Sequence, residues 1–151
     1  MDNKETISEL NDLIETCLDG YKGFQECADD LKDPQLKSTM SARAQDCSTA
    51  ATELQQLVTK LGGDPEQKAS VSGALHRKWV DIKSAVTGKS DEAILNECER
   101  GEDVALKSYK QALEKDLPAD VRVVVERQLQ GVQRNHDQVK ALRDAARAAN
   151  H

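Results

Sequence analysis

Apolar residues recur at alternating spacings of three and four through four long stretches of the chain. A seam of that period can be buried only against other helices, so it fixes an all-α fold before anything else is considered. The first stretch carries Ile7, Leu10, Ile14, Cys17, Tyr21, Phe24, Ala28 and Leu31, and the second Leu36, Met40, Ala44, Cys47, Ala51, Leu54, Val58 and Leu61. The third carries Leu95, Cys98, Glu102, Ala105, Tyr109 and Ala112. The fourth carries Val121, Val125, Leu129, Val132, His136, Val139, Leu142 and Ala146. Helices are therefore predicted over about 6–31, 34–61, 91–116 and 119–148. Aromatic residues make up only 3% of the chain, a composition poor in strand formers.

The breaks between seams set the topology. Lys32-Asp33-Pro34 and Leu117-Pro118-Ala119-Asp120 are too short to join anything but antiparallel neighbours. Asp33 is placed to cap the helix that starts at Pro34. The middle connection, Gly62 to Ser90, is long enough to run the length of helices that span about 40 Å. Within it, residues 72–87 form a predicted short amphipathic helix with Leu75, Trp79, Ile82 and Val86 on one face. The expected fold is one domain over residues 1–151, an up-down-down-up four-helix bundle whose long crossover carries a short extra helix. A weak internal repeat agrees: Cys17-Leu18-Asp19-Gly20 matches Cys98-Glu99-Arg100-Gly101, each on the first helix of a hairpin.

Charge and composition exclude several functions. A net charge of −6 argues against a nucleic-acid footprint, which depends on Lys and Arg. No window approaches the roughly 20 apolar residues needed to cross a bilayer, and MDNKETISEL has no signal-peptide pattern. Cys17, Cys27, Cys47 and Cys98 are widely spaced, without a CxxC, and are expected to be buried reduced thiols. A cytoplasmic setting follows as the expectation.

Four seam positions carry groups that can hydrogen-bond or hold a metal: Tyr21, Glu102, Tyr109 and His136. Counted from the hairpin turns, Glu102 and His136 lie roughly 24–27 Å from Pro118, and Tyr21 roughly 18 Å from the opposite end. Those levels bring Tyr21, Glu102 and His136 together near mid-bundle. Such a cluster is either a satisfied hydrogen-bonded core network that fixes register or the beginning of a metal site.

A bundle of this topology with a core Glu resembles the ferritin-like superfamily, whose di-iron members use a Glu on each of two helices and Glu-x-x-His on the other two. The spacing Glu102-x6-Tyr109 is similar to an element of the rubrerythrin branch, and His136 stands where the last histidine of that pattern would fall. The other positions depart: Tyr21 replaces the first Glu, Ser48 and Ala51 (or Cys47 and Ala50) replace a Glu–His pair, and Gln133 precedes His136 where Glu is required. The runs SVSGALHRKWVDIKSAVTG, ILNECERGEDVALKSYKQAL and VERQLQGVQRNHDQVKALRD resemble a family of bacterial ferritin-like bundle proteins, common in proteobacteria, whose function is unknown. The resemblance implies the fold and a bacterial cytoplasm, but no reaction.

The expected function is non-catalytic: a bundle with a degenerate di-metal site, acting as a stress-related structural or interaction protein. No cofactor is expected. The competing expectation is an iron-binding or di-metal carboxylate oxidase with an atypical core site at Glu102, His136, Tyr21 and Tyr109. Leu75, His76, Arg77 and Trp79 of the crossover helix are the candidate docking surface for a protein partner or a second copy, because Trp and Arg favour interfaces.

Overall fold

The computed structural model describes residues 2–67 and 90–149. Among them every regular element is an α-helix: α1 (Asn3–Asp30), α2 (Pro34–Lys60), α3 (Asp91–Leu113) and α4 (Ala119–Ala149). The helices pack as an all-α bundle, α1 against α2 and α3, and α3 against α4. The expected crossover helix at 72–87, with Leu75, His76, Arg77 and Trp79, lies outside the described residues.

Side chains at the helix ends explain where each helix starts and stops. Asp2 accepts from the Glu5 amide at 2.8 Å, which starts α1 three residues ahead of its predicted limit. Asp33 caps α2, accepting from the amides of Gln35 and Leu36. Gly62, at φ 86°, ends α2 in a Schellman turn: its amide donates to Thr59, and the Gly63 amide donates to Val58. Ser90 caps α3 through the Ala93 amide.

The two hairpins close in the same way. Lys37 donates to the carbonyls of Ala28 and Leu31, at the end of α1. Arg122 donates to the carbonyls of Leu113 and Lys115, at the end of α3. Each is the fourth residue of its returning helix, and each satisfies carbonyls that a helix end leaves orphaned. α3 stops at Leu113, short of the predicted 116.

Asp91 joins one hairpin to the other. Its two carboxylate oxygens accept from the amides of Lys32 and Asp33, at 2.9 and 3.0 Å. The start of α3 therefore sits beside the start of α2, and both helices set out from the same end.

The apolar core falls into two parts. One, near the α1–α2 turn, is built from Phe24, Cys27, Leu31, Met40, Ile94, Leu95 and Val139. The other, toward the opposite end, is built from Leu10, Ile14, Leu54, Val58, Ala112, Val121 and Val125. Each fully buried Leu, Ile or Val contributes about 1.5–3 kcal/mol by leaving water. On α3 the two parts are separated by the stretch that holds Glu102.

Candidate functional site

Glu102 is completely buried, and so is nearly all of Arg43, which reaches it from α2. Arg43 Nε donates to one carboxylate oxygen at 2.5 Å, and Nη2 donates to the other at 3.3 Å. Phe24 underlies the guanidinium, 5.1 Å from ring centroid to its carbon. Burial pushes the Glu102 carboxyl above the usual carboxylate range, and Arg43 pulls it back. Burial also works against the charge on Arg43, but Glu102 beside it outweighs that and helps hold the guanidinium above its ordinary range. Two donors on two oxygens make this a charge-assisted bidentate pair, the arrangement that lets ions survive in a dry core.

About two turns further along α3, Tyr109 is buried in a separate hydrogen-bonded chain. Its hydroxyl donates to Gln128 Oε1 at 2.8 Å and lies 3.1 Å from Cys17 Sγ, whose thiol is placed to donate back. Gln128 Nε2 donates to Glu53 at 2.8 Å and to the Ala50 carbonyl. Glu53 in turn accepts from Arg127 at 2.5 Å. Polar contacts thus run unbroken from a buried thiol to an exposed ion pair. A cavity of about 390 Å³ adjoins both networks, bordered by Cys17, Phe24, Arg43, Cys47, Tyr109 and Gln128.

All four cysteines are buried and free. Burial pushes the Cys17 thiol up to about 11 and the Cys47 thiol up to about 12. A hydrogen bond with Cys27, together with burial, holds Cys98 well above the ordinary thiol range. The Cys17, Cys47 and Cys98 thiols are thus protonated and shielded, the opposite of a reactive cysteine.

The remaining predicted residues do not join Glu102. Tyr21 is half-buried, and its hydroxyl accepts from Gln25, on its own helix, at 2.9 Å. His136 sits at the edge of the bundle, with Nε2 2.6 Å from Asp103 Oδ1 and 3.8 Å from Glu99 Oε1. Its Nδ1 lies 3.3 Å from Asp137 Oδ1. The predicted mid-bundle convergence thus separates into three neighbourhoods: Glu102 with Arg43, Tyr21 with Gln25 of its own helix, and His136 with Glu99 and Asp103. Levels along the axis were similar, but the direction each side chain takes around its helix decides contact, and the directions differ.

Two participants were missed in the sequence. Arg43 lies three residues after Met40 and four before Cys47, so it shares their face, and a core carboxylate demands a cation. Gln128 lies three after Val125 and four before Val132, whereas the predicted seam passed through Leu129. The Gln128 position is buried and Leu129 is only half-buried.

No match to the chain is found among the curated proteins. Residues 5–115, spanning α1, α2, α3 and the connection between them, match the sequence model of the family described as "Domain of unknown function (DUF2383)", and the chain belongs to that family.

Proposed function

We propose that the protein is a ferritin-like, up-down-down-up bundle that works without a core metal, as a non-catalytic structural or interaction protein. The observation that carries this reading is the Arg43 guanidinium on both oxygens of Glu102. It supplies in the core the positive charge that metal ions supply in di-metal bundles. The residues nearby do not fit a di-metal centre. Tyr21, Cys47, Ser48, Ala50, Ala51 and Gln133 occupy the positions where carboxylates and a histidine would be needed. Two adjacent divalent ions require several anionic bridges, and the Glu102 carboxylate is already engaged by a cation. Shared ends of α2 and α3, fixed by Asp91, support the ferritin-like order.

Protein purified from iron-supplemented cells should hold no iron that depends on Glu102. Stoichiometric iron in the wild type that disappears in Glu102→Gln would overturn the reading. The physiological side of the proposal is a bacterial cytoplasmic protein of stress conditions that associates with a partner or a second copy. The surface proposed for that association is the crossover stretch with Leu75, His76, Arg77 and Trp79. Loss of self-association in Trp79→Ala with unchanged helicity supports that surface; association unaffected by Trp79→Ala removes it.

A further inference from the structure

Glu99 and Asp103 are four residues apart on α3, so they project from neighbouring turns of one face. His136 of α4 lies across from them. Each of the three residues offers one ligand atom that lies within 4.8 Å of those of the other two. We propose that these three residues form a mononuclear site for a divalent first-row transition ion of the Zn(II) class.

The geometry is close to what such an ion needs. Ligands at about 2.0–2.2 Å from a tetrahedral or octahedral ion stand roughly 3.0–3.5 Å from one another. The Nε2–Asp103 separation of 2.6 Å must open slightly, and the Nε2–Glu99 separation of 3.8 Å must close slightly. Both adjustments are within the reach of side-chain rotation.

The surroundings orient the ligands. With Nδ1 turned to Asp137, Nε2 is the ring nitrogen that faces Asp103 and Glu99, and an ion bound there takes the place of the proton that Nε2 shares with Asp103. Arg143 engages Glu99 through Oε2, which leaves Oε1 turned toward His136. Arg143 also bonds Asp144 and is thereby held in place. Hydrogen bonding of ligand residues by a second layer of groups is the usual architecture of metal sites.

Charge and access fit as well. Glu99, shared with Arg143, and Asp103 supply the negative charge, and imidazole with carboxylate suits Zn(II) and its neighbours rather than a soft ion. Glu99 and His136 are mostly covered while Asp103 is more than half exposed, so an ion can enter from solvent and keep water in its remaining positions. This site differs from the expected core cluster in its carboxylates: it uses Glu99 and Asp103, leaves Glu102 to Arg43, and shares only His136.

Titration of the full-length protein with Zn(II), followed calorimetrically, and with Co(II), followed by visible absorbance, tests the proposal. A single saturable ion per chain is expected, with affinity lowered at least about tenfold in His136→Ala and in Asp103→Asn. Glu102→Gln should leave the affinity unchanged, with circular dichroism confirming the fold of each variant. If Glu102→Gln does not fold, Tyr21→Phe serves as the unchanged control. Binding indifferent to both His136→Ala and Asp103→Asn would overturn the site, and so would sulfur-to-cobalt charge transfer or no binding at millimolar metal. Such a failure would leave the Arg43–Glu102 reading intact, since only Glu102-dependent metal contradicts that one.

Discussion

Glu102 and Asp103 are consecutive acids on α3, and the fold treats them in opposite ways. The Glu102 side chain is 0% exposed and is held by one cation in one geometry; the Asp103 side chain is 59% exposed. In the dry position the partner is compulsory, because removing it strands a charge. At the edge, water reaches Asp103 and can replace its partner, so this carboxylate is free to exchange ligands. The same residue chemistry thus gives a structural device on one side of the helix and a site open to solutes on the next. One step of about 100° around the helix makes the difference.

Substitutions at the two places should therefore differ most in size. Arg43→Met leaves Glu102 buried and uncompensated, and should lower unfolding free energy by about 3–5 kcal/mol in urea titrations. Replacing both partners, Arg43→Met with Glu102→Met, should recover most of that loss. If the double variant is as unstable as the single one, the pair is not acting as a unit. Tyr109→Phe probes the dry side without touching a charge. It removes the hydroxyl shared by Cys17 and Gln128 and should cost about 1–2 kcal/mol in the same assay.

Alkaline pH offers a third separation. The Cys17 and Cys47 thiols are raised in the folded state, so their protonated forms stabilise the fold fully below the ordinary thiol value of 9.0. That contribution is lost as pH rises through about 11 and 12. The thermal midpoint should fall above pH 9, and less steeply in Cys47→Ala relative to its own neutral value. The smallest effect belongs to the edge: Asp103→Asn should change stability by no more than about 0.5 kcal/mol, and by less at high salt. A loss comparable to that of Arg43→Met would erase the distinction between the two acids.

The helices were legible because the spacing of Leu, Ile, Val, Ala and Cys records which face is buried, and Asp33, Pro34 and Gly62 record where helices stop. Burial of Glu102 and Tyr109 was legible for the same reason. Arg43 was not, because a long charged side chain beside a seam usually points to water, and only its distant partner reveals otherwise. His136 failed in the other direction. Its spacing from Val132 and Val139 is that of a core residue, yet an edge position on α4 meets the carboxylates of α3 before it meets the interior. Glu99 and Asp103 lie off the predicted seam, and nothing along one helix could announce a histidine arriving from another.

The link between Asp91 and the first hairpin has a consequence for the order in which the molecule comes apart. The Lys32 and Asp33 amides belong to a surface turn, where exchange with deuterium is ordinarily fast, but their acceptor lies on the other hairpin. Their exchange should therefore slow to the rate at which the first turn of α3 opens, joining a turn and a helix start distant in sequence into one cooperative unit. Asp91→Ala should return both amides to fast exchange while leaving the Gly62 and Gly63 amides, held within their own turn, at their original rate.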